Sequence, residues 1–221
     1  MSYNKHDSDC KRDSDNKAGK TSLKLGGMVK LGIILALYSA VACVGLAFVY
    51  TGTVDIINQR QQEDTDQALL ILFSDADNFE ALSGISSRDP AVSIEDSYAA
   101  IKGGEIIGAA IRTSRISFSG PIVILVGIGV DNRISGIQIL ENIDTPGLGS
   151  NASSRNFYVD RVRGIRFYEQ FAGKSVSDPF IPKQDVIVIT AATITSRAVA
   201  TSVKAAGEAA EVWFMAQGVS R

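Results

Sequence analysis

The chain passes from an apolar strand into a long amphipathic helix within ITAATITSRAV, residues 189–199. Thr193 is predicted to lie where this helix begins. Because the first turn of a helix has unpaired backbone N–H groups and the positive end of the helix dipole, a phosphate carried by Thr193 or bound beside it would be stabilised there. The segment therefore predicts an anion or phosphoester site. The alternative is that Thr195 or Ser196 serves only as the N-cap of the helix.

The predicted helix, at residues 196–216, has one apolar stripe. Its members recur at spacings of four and three residues and are Val199, Val203, Ala206, Ala210 and Trp213. This periodicity predicts that the helix packs on a sheet. Trp213 is predicted to belong to the core, and the alternative is a contact with a cofactor ring.

The sheet is predicted from four β-rich runs at residues 98–102, 106–111, 122–130 and 134–140. Turn signals at 102–104 and 131–133 favour an antiparallel meander. The run at 122–130 is apolar at nearly every position, so we expect a central strand that is buried on both faces. Gly127 and Gly129 within it indicate a bulge, or the close approach of a ring or a backbone. The predicted fold class is α+β.

A membrane anchor is predicted near the N-terminus. Residues 31–54 contain no charged side chain over 24 positions. As a helix this run is about 36 Å long, which exceeds a hydrocarbon core of about 30 Å. A cleavable signal peptide is the alternative, but no convincing Ala-x-Ala end precedes Asp55. Cys43 is then a small residue of the membrane helix.

Charge around this span predicts its orientation. Four basic residues precede it closely, namely Lys17, Lys20, Lys24 and Lys30. Arg60 is the only basic residue at positions 55–80. Basic residues favour the cytoplasmic side. We therefore expect a single-pass protein of the cell inner (cytoplasmic) membrane, with a cytoplasmic N-terminus and a periplasmic or extracytoplasmic main domain.

Four regions follow from these patterns. Residues 1–30 are predicted to form a disordered cytoplasmic tail, residues 31–54 the transmembrane helix, residues 55–82 a connecting helix and residues 83–221 the folded domain. Residues 83–89 are expected to form a surface loop. In the connecting helix, apolar positions among charges indicate packing on the domain, and these positions are Ala68, Leu69, Leu72 and Phe73.

Composition excludes several classes of function. Residues 31–221 carry 15 basic and 20 acidic side chains, which argues against a nucleic-acid partner. The only histidine is His6 and the only cysteines are Cys10 and Cys43. The sequence therefore predicts no disulfide, no Cys/His metal site and no Ser-His-Asp constellation, so a hydrolase is not expected.

Four segments together resemble a known family. They are SGPI at 119–122, ISGIQILENIDTPGLG at 134–149, QFAGK at 170–174 and the segment around Thr193. Their pattern is similar to that of the G subunit of the Rnf (Rsx) electron-transport complex, to which the C subunit of the sodium-pumping NADH:quinone reductase is related. The resemblance runs from the membrane segment to near the C-terminus. It implies an FMN-binding domain whose antiparallel sheet is packed by helices.

In that family FMN is joined through its phosphate to the last threonine of a Ser/Thr-Gly-Ala-Thr motif, which corresponds to Thr193 here. The resemblance implies a cofactor site with two halves. The first half comprises Thr190, Ala191, Ala192, Thr193, Ile194, Thr195 and Ser196. The second half comprises Thr145, Pro146, Gly147, Leu148 and Gly149, where proline and glycine favour a tight loop that approaches a ring or a phosphate. Lys174 or Arg197 is a candidate partner of the phosphate.

Three positions depart from the family pattern. Ala191 replaces the motif glycine, and Asp144 replaces the glutamate of Glu-Thr-Pro-Gly-Leu-Gly. Ile187 stands where the pattern places an aspartate, while Asp185 lies two residues too early. These departures keep open an alternative, namely a membrane-anchored binding or assembly subunit of the same fold without covalent flavin.

The expected function is that of a membrane-anchored flavin carrier with no catalytic constellation of its own. By resemblance, the complete complex couples electron exchange between ferredoxin and NAD to cation movement across the membrane. The expected partners are the other subunits of this complex, membrane lipid, and a flavin transferase during maturation. The C subunit of the sodium-pumping NADH:quinone reductase is a further alternative.

Overall fold

The computed structural model describes residues 25–219. Most of the predicted cytoplasmic tail therefore lies outside the described residues, including His6, Cys10, Lys17, Lys20 and Lys24. The chain divides into two units, residues 1–59 and residues 60–221.

In the first unit the structure shows one helical stretch, the start of α1 (Leu25–Leu72). The segment Gly27–Leu72 is the one helix among residues 25–219 that is long and apolar enough to cross a membrane. Large apolar side chains such as Leu35 and Phe48 are exposed along it. A lipid environment would cover these side chains, so α1 is a candidate membrane span.

The second unit contains a five-stranded antiparallel sheet with strands in the order β1-β2-β3-β4-β5. The strands are β1 (Asn78–Ala81), β2 (Ser93–Lys102), β3 (Glu105–Ile116), β4 (Pro121–Gly129) and β5 (Ile134–Asn142). The predicted meander is confirmed. Three of the four predicted strands are longer than expected, whereas β4 has the expected length but is shifted by one residue. The turns before β3 and β5 contain Gly103, Gly104 and Asn132 with positive φ.

The predicted connecting helix is wrong in its last ten residues, 73–82. The helical stretch ends at Leu72, and Asn78–Ala81 forms the edge strand β1 instead. Two aspartates in the intervening segment direct the chain into the sheet. Asp77 accepts a hydrogen bond from the backbone N–H of Gly103 at 2.7 Å, and Asp75 pairs with Lys102 at 3.1 Å. The loop predicted at 83–89 is confirmed, since these residues form neither helix nor strand.

Both faces of β4 are buried, as its apolar sequence predicts. One face belongs to a core that also contains residues of the C-terminal helix, such as Val199 and Val203. The other face belongs to a second core with Leu69 and Phe73. A Cβ built on Gly127 would lie 3.2 Å from Cε2 of Phe73. The pairing of β4 with β5 also shifts after Gly127, so this glycine serves both a ring contact and a bulge.

The C-terminal helix α2 (Thr193–Gln217) begins at Thr193, which confirms the predicted start at this residue and adds one turn to the periodic stretch 196–216. It ends at Gly218, which has a φ of 68°. Val199, Val203, Ala206 and Ala210 of the predicted stripe are buried in the core against the sheet. Trp213 is only partly buried and packs beside the buried Phe214 at a ring distance of 5.4 Å. The helix therefore packs on the sheet as expected, and the α+β fold class is confirmed.

Between β5 and α2 the chain forms two 3-10 turns and a small hairpin of β6 (Tyr158–Asp160) and β7 (Ile165–Arg166). The apolar strand predicted just before α2 is wrong, since this stretch has no regular strand pairing. Instead of pairing with a strand, the backbone of Ile187 forms hydrogen bonds with the side chain of Gln170. This side chain accepts a hydrogen bond from Ile187 N at 2.7 Å and donates one to Ile187 O at 3.1 Å.

Candidate functional site

A pocket of about 280 Å³ forms where three segments of the second unit meet. The turn between β3 and β4 contributes Phe118. The loop after β5 contributes Asp144, Thr145, Leu148 and Gly149, and the start of α2 contributes Ala191, Ala192, Thr193, Ile194 and Thr195. The structure thus brings the two halves of the predicted site to one place.

The start of α2 lacks a side-chain cap. Its N-cap is Ala192, which has no side-chain acceptor for the free N–H groups of the first turn. Thr195 and Ser196 lie inside the helix, so the interpretation of either residue as the N-cap is wrong. Ser196 Oγ donates to Ala192 O at 2.9 Å and accepts from Ile189 N at 3.0 Å. The helix end that lines the pocket therefore keeps its capacity to bind an anion.

Ala191 adopts a left-handed backbone conformation with a φ of 62°. A Cβ makes this conformation unfavourable by about 1–2 kcal/mol, and glycine adopts it readily. The residue lies in the turn that leads from the irregular segment at 187–189 into the start of α2. The glycine of the family motif thus corresponds to a position where the backbone itself favours glycine.

Asp144 joins the three segments that form the pocket. Its buried carboxylate accepts hydrogen bonds from Ser117 Oγ, from Thr195 Oγ1 at 2.6 Å and from Ser119 N at 2.7 Å. Burial alone would raise the pKa of Asp144, but these hydrogen bonds and one from the backbone of Phe118 hold the pKa below its usual value of 3.8. The carboxylate is therefore ionised and fully engaged at neutral pH.

The close packing of this region depends on Gly149. A Cβ built on it would lie 2.6 Å from Asp144 Cβ and 2.6 Å from Thr195 Oγ1. Asn142 Nδ2 donates to Gly149 O at 3.1 Å and fixes the exit from β5. Gly147, with a φ of 76°, lets the loop turn back so that its N–H reaches Ser150 Oγ. Glycine is thus required at 149 because Asp144 and Thr195 leave no room for a side chain, and it is favoured at 147 because the φ there is positive.

Comparison with known proteins agrees with this architecture. Residues 117–208 match the model of the FMN-binding domain. The G subunit of the Na⁺-translocating ferredoxin:NAD⁺ oxidoreductase complex of Acetobacterium woodii is 30% identical over 79% of this chain and 87% of its own length. The chain belongs to the family of G subunits of ion-translocating oxidoreductase complexes.

Other members of this family support the assignment. The G subunit of the proton-translocating ferredoxin:NAD⁺ oxidoreductase complex of Clostridium ljungdahlii is 31% identical, over 74% of this chain and 80% of its own. The G subunit of the ion-translocating oxidoreductase complex of Aliivibrio fischeri is 30% identical, over 85% and 90% respectively. The match to the FMN-binding domain begins at Ser117 and so includes Asp144 with its side-chain donors.

Several predicted site residues of this chain lie beside the pocket and not in its lining. Thr190, Pro146 and Gly147 belong to the exposed flanks of the two halves, and Ser196 is buried below the start of α2. The lining itself contains eight of the predicted residues, namely Thr145, Leu148, Gly149, Ala191, Ala192, Thr193, Ile194 and Thr195.

Lys174 is not placed at the pocket. Its ammonium group donates to Asp185 O at 2.7 Å and lies 3.6 Å from Asp185 Oδ2. Asp185 in turn accepts hydrogen bonds from the backbone N–H groups of Phe180 and Ile181. Both charges therefore stabilise the loop before α2. Arg197 is exposed and does not line the pocket either.

Sequence reasoning missed Phe118, whose side chain is 68% exposed at the pocket. The only signal was its place directly before the segment 119–122 that resembles the family, because one aromatic residue in a polar turn has no periodicity. Trp213 lies elsewhere, in a groove with residues 83–86 and Arg88. Ile187, at the position of the family aspartate, is exposed beside Gln170.

Proposed function

We propose that this G subunit carries FMN as a phosphoester on Thr193 and relays electrons within a membrane complex. The observation that carries the proposal is the uncapped start of α2 at Thr193, which lies in one pocket with the Thr145–Gly149 loop. The ester forms when Thr193 Oγ displaces the leaving group from the phosphorus of an activated flavin phosphate, and the hydroxyl proton is released. A flavin transferase is the expected catalyst.

The residues present fit a flavin phosphate. Free N–H groups and the positive end of the α2 dipole favour the phosphate. Apolar side chains at the same pocket, those of Phe118, Leu148 and Ile194, are exposed and would hold a planar aromatic ring. FMN supplies the redox chemistry when it is bound. The chain tethers the flavin and orients it, which requires no nucleophile or general acid beyond the threonine that is esterified.

The wider role follows from the relatives. Two of them are named as subunits of ferredoxin:NAD⁺ oxidoreductase complexes, one Na⁺-translocating and one proton-translocating. We propose the same electron exchange, coupled to ion translocation, for the complex of this chain. These names favour it over the NADH:quinone reductase alternative. The proposed place is the inner membrane, with lipid around residues 31–54 of α1, the N-terminus in the cytoplasm and the FMN-binding domain on the outer face.

A second candidate function is an assembly subunit that keeps this fold without covalent flavin. Ala191 and Ile187 favour it, because a left-handed alanine and an exposed apolar side chain replace two residues of the family motif. A transferase that requires the motif would then leave Thr193 unmodified.

The two candidates are separated by co-expression of the full chain with the native flavin transferase. We expect a flavin-fluorescent band on a denaturing gel, lost in Thr193→Ala and kept in the control Thr201→Ala, which replaces a threonine of α2 outside the motif. Tryptic cleavage after Lys183 and Arg197 yields one peptide for mass mapping of the hydroxyl that carries the flavin. A dark wild-type band, with the transferase active on another substrate, would favour the assembly subunit.

A further inference from the structure

One side chain sets the charge of the pocket that contains Thr193. Of the ten lining residues, Asp144 is the only charged one. Its carboxylate is buried, and two hydroxyl groups with backbone N–H groups stabilise its ionised form. The pocket therefore presents a negative charge, opposite in sign to the charge expected of a site that binds a free phosphate.

The candidate cations for this charge do not line the pocket. Lys174 pairs with Asp185, and Arg115 Nη1 lies 3.5 Å from Asp89 Oδ2. Arg197, one turn into α2, is exposed outside the lining. Among the residues that line the pocket, no side chain compensates the charge of Asp144. The favourable electrostatic contribution comes from the start of α2, which is equivalent to about half a positive charge.

The two forms of flavin differ in charge. The phosphate monoester of free FMN carries close to two negative charges at neutral pH, because its second pKa is about 6. The same phosphate joined to Thr193 would be a diester with one negative charge. The start of α2 contributes about half a positive charge and Asp144 a full negative charge, so their sum repels an anion. This repulsion is weaker for the monoanionic diester than for the dianionic monoester.

We infer that Asp144 makes this pocket select flavin held as a phosphodiester over free FMN. This inference rests on the proposed function, and it makes Asp144 a specificity-determining residue. The consequence is protective, since free FMN that occupied the pocket would block the Thr193 hydroxyl before the transfer reaction. The single acidic side chain thus keeps the attachment site open.

The test compares two ligands that differ only in the phosphate, FMN and riboflavin. The full chain is prepared in detergent from cells without a flavin transferase, so that Thr193 keeps its hydroxyl, and each ligand is titrated by the quenching of its fluorescence. We expect Asp144→Asn to raise the affinity for FMN at least tenfold, because a unit charge and a dianion about 6 Å apart repel each other by about that factor even at the dielectric constant of water. The affinity for riboflavin should change less than twofold.

Two further variants complete the experiment. Glu105→Gln removes one exposed negative charge at the start of β3 and should change neither affinity. Ile194→Lys adds a cation at the pocket, where this side chain is 54% exposed, and leaves the hydrogen bonds of Asp144 intact. It should favour FMN over riboflavin in the same way, even if Asp144→Asn unfolds the chain.

Equal effects on FMN and riboflavin, or no gain for FMN in either variant, would overturn the inference. Absence of binding by every variant would overturn it too, because both substitutions are expected to create measurable FMN binding. The titration does not involve the ester at Thr193. If the ester forms but the selective gain in FMN affinity is absent, the proposed function stands and this inference fails. If the gain is present but no ester forms on Thr193, Asp144 controls the charge of the pocket and the proposed function fails.

Discussion

Thr195 Oγ1 donates a hydrogen bond of 2.6 Å to Asp144 Oδ2 across 51 residues of chain. Both side chains are buried. The bond joins the first turn of α2 to the loop after β5, and Ser117 joins the same carboxylate from the turn between β3 and β4. The shape of the pocket therefore depends on a contact between segments that are distant in sequence.

Thr195→Val should destabilise the domain. Valine keeps the shape of threonine but leaves one acceptor site of a buried carboxylate without its donor, which costs about 1–3 kcal/mol. Urea unfolding of the full chain in detergent measures this loss. Thr201→Val is the matched control, because no side-chain hydrogen bond of Thr201 is found among residues 25–219. Equal losses for the two variants would contradict the importance of the Asp144 contact.

Asp144 should make stability depend on pH in the acid range. The pKa of Asp144 in the folded protein is below 3.8, because its hydrogen bonds outweigh the effect of burial. The stabilisation is therefore complete at pH values well above 3.8. It is lost as the pH falls below 3.8 through the lower folded-state pKa.

The measurement is the difference in unfolding free energy between wild type and Asp144→Asn as a function of pH. This difference should shrink as the pH falls below about 4. Ser117→Ala removes one donor to the carboxylate, which brings the folded-state pKa closer to 3.8 and should reduce the pH-dependent part. An identical pH dependence in wild type and Ser117→Ala would show that the hydroxyl does not stabilise the charge.

The strands and the C-terminal helix were predictable because their apolar residues recur at the spacing of each element. The run at 122–130 predicts an interior strand, and β4 is buried on both faces. β1 was not predictable, because its pairing with β2 depends on long-range contacts of Asp75 and Asp77 and on no apolar pattern of its own.

The two segments of the site were also predictable, since the turn residues of each carry a local signal. The contacts within the site were not. Nothing in the local pattern of Asp144 distinguishes a buried cross-link from a surface charge, and its principal partners are 25–51 residues away. A lysine suits a phosphate site and this makes Lys174 a candidate from sequence, but its partner in the folded protein is Asp185.

Ala191→Gly should stabilise the domain by about 0.5–1 kcal/mol. Glycine removes the strain of a Cβ at a φ of 62°, which exceeds the entropy that glycine adds to the unfolded chain. Ala192→Gly is the matched control, because Ala192 has a φ of −130° and gains nothing from glycine. Urea midpoints of the two variants and wild type measure the effect.

The same pair of variants also tests the family motif. Ala191→Gly restores the motif glycine, so we expect at least as much flavin on Thr193 as in wild type on a fluorescent gel. A gain in stability only for Ala192→Gly would contradict the strain at Ala191. A large gain in flavin content with Ala191→Gly would show that the wild-type alanine limits the transferase.

The proposed orientation predicts which residues a membrane-impermeant maleimide reaches from outside the inner membrane. Val162 is a suitable reporter, because its side chain is 97% exposed in the turn between β6 and β7. Val162→Cys should react from the outer face in cells with a permeabilised envelope and an intact inner membrane. Cys10, which precedes the candidate span in sequence, is the internal control and should react only after detergent opens that membrane. Labelling of Cys10 but not of residue 162 in intact cells would reverse the proposed topology and place the pocket of Thr193 in the cytoplasm.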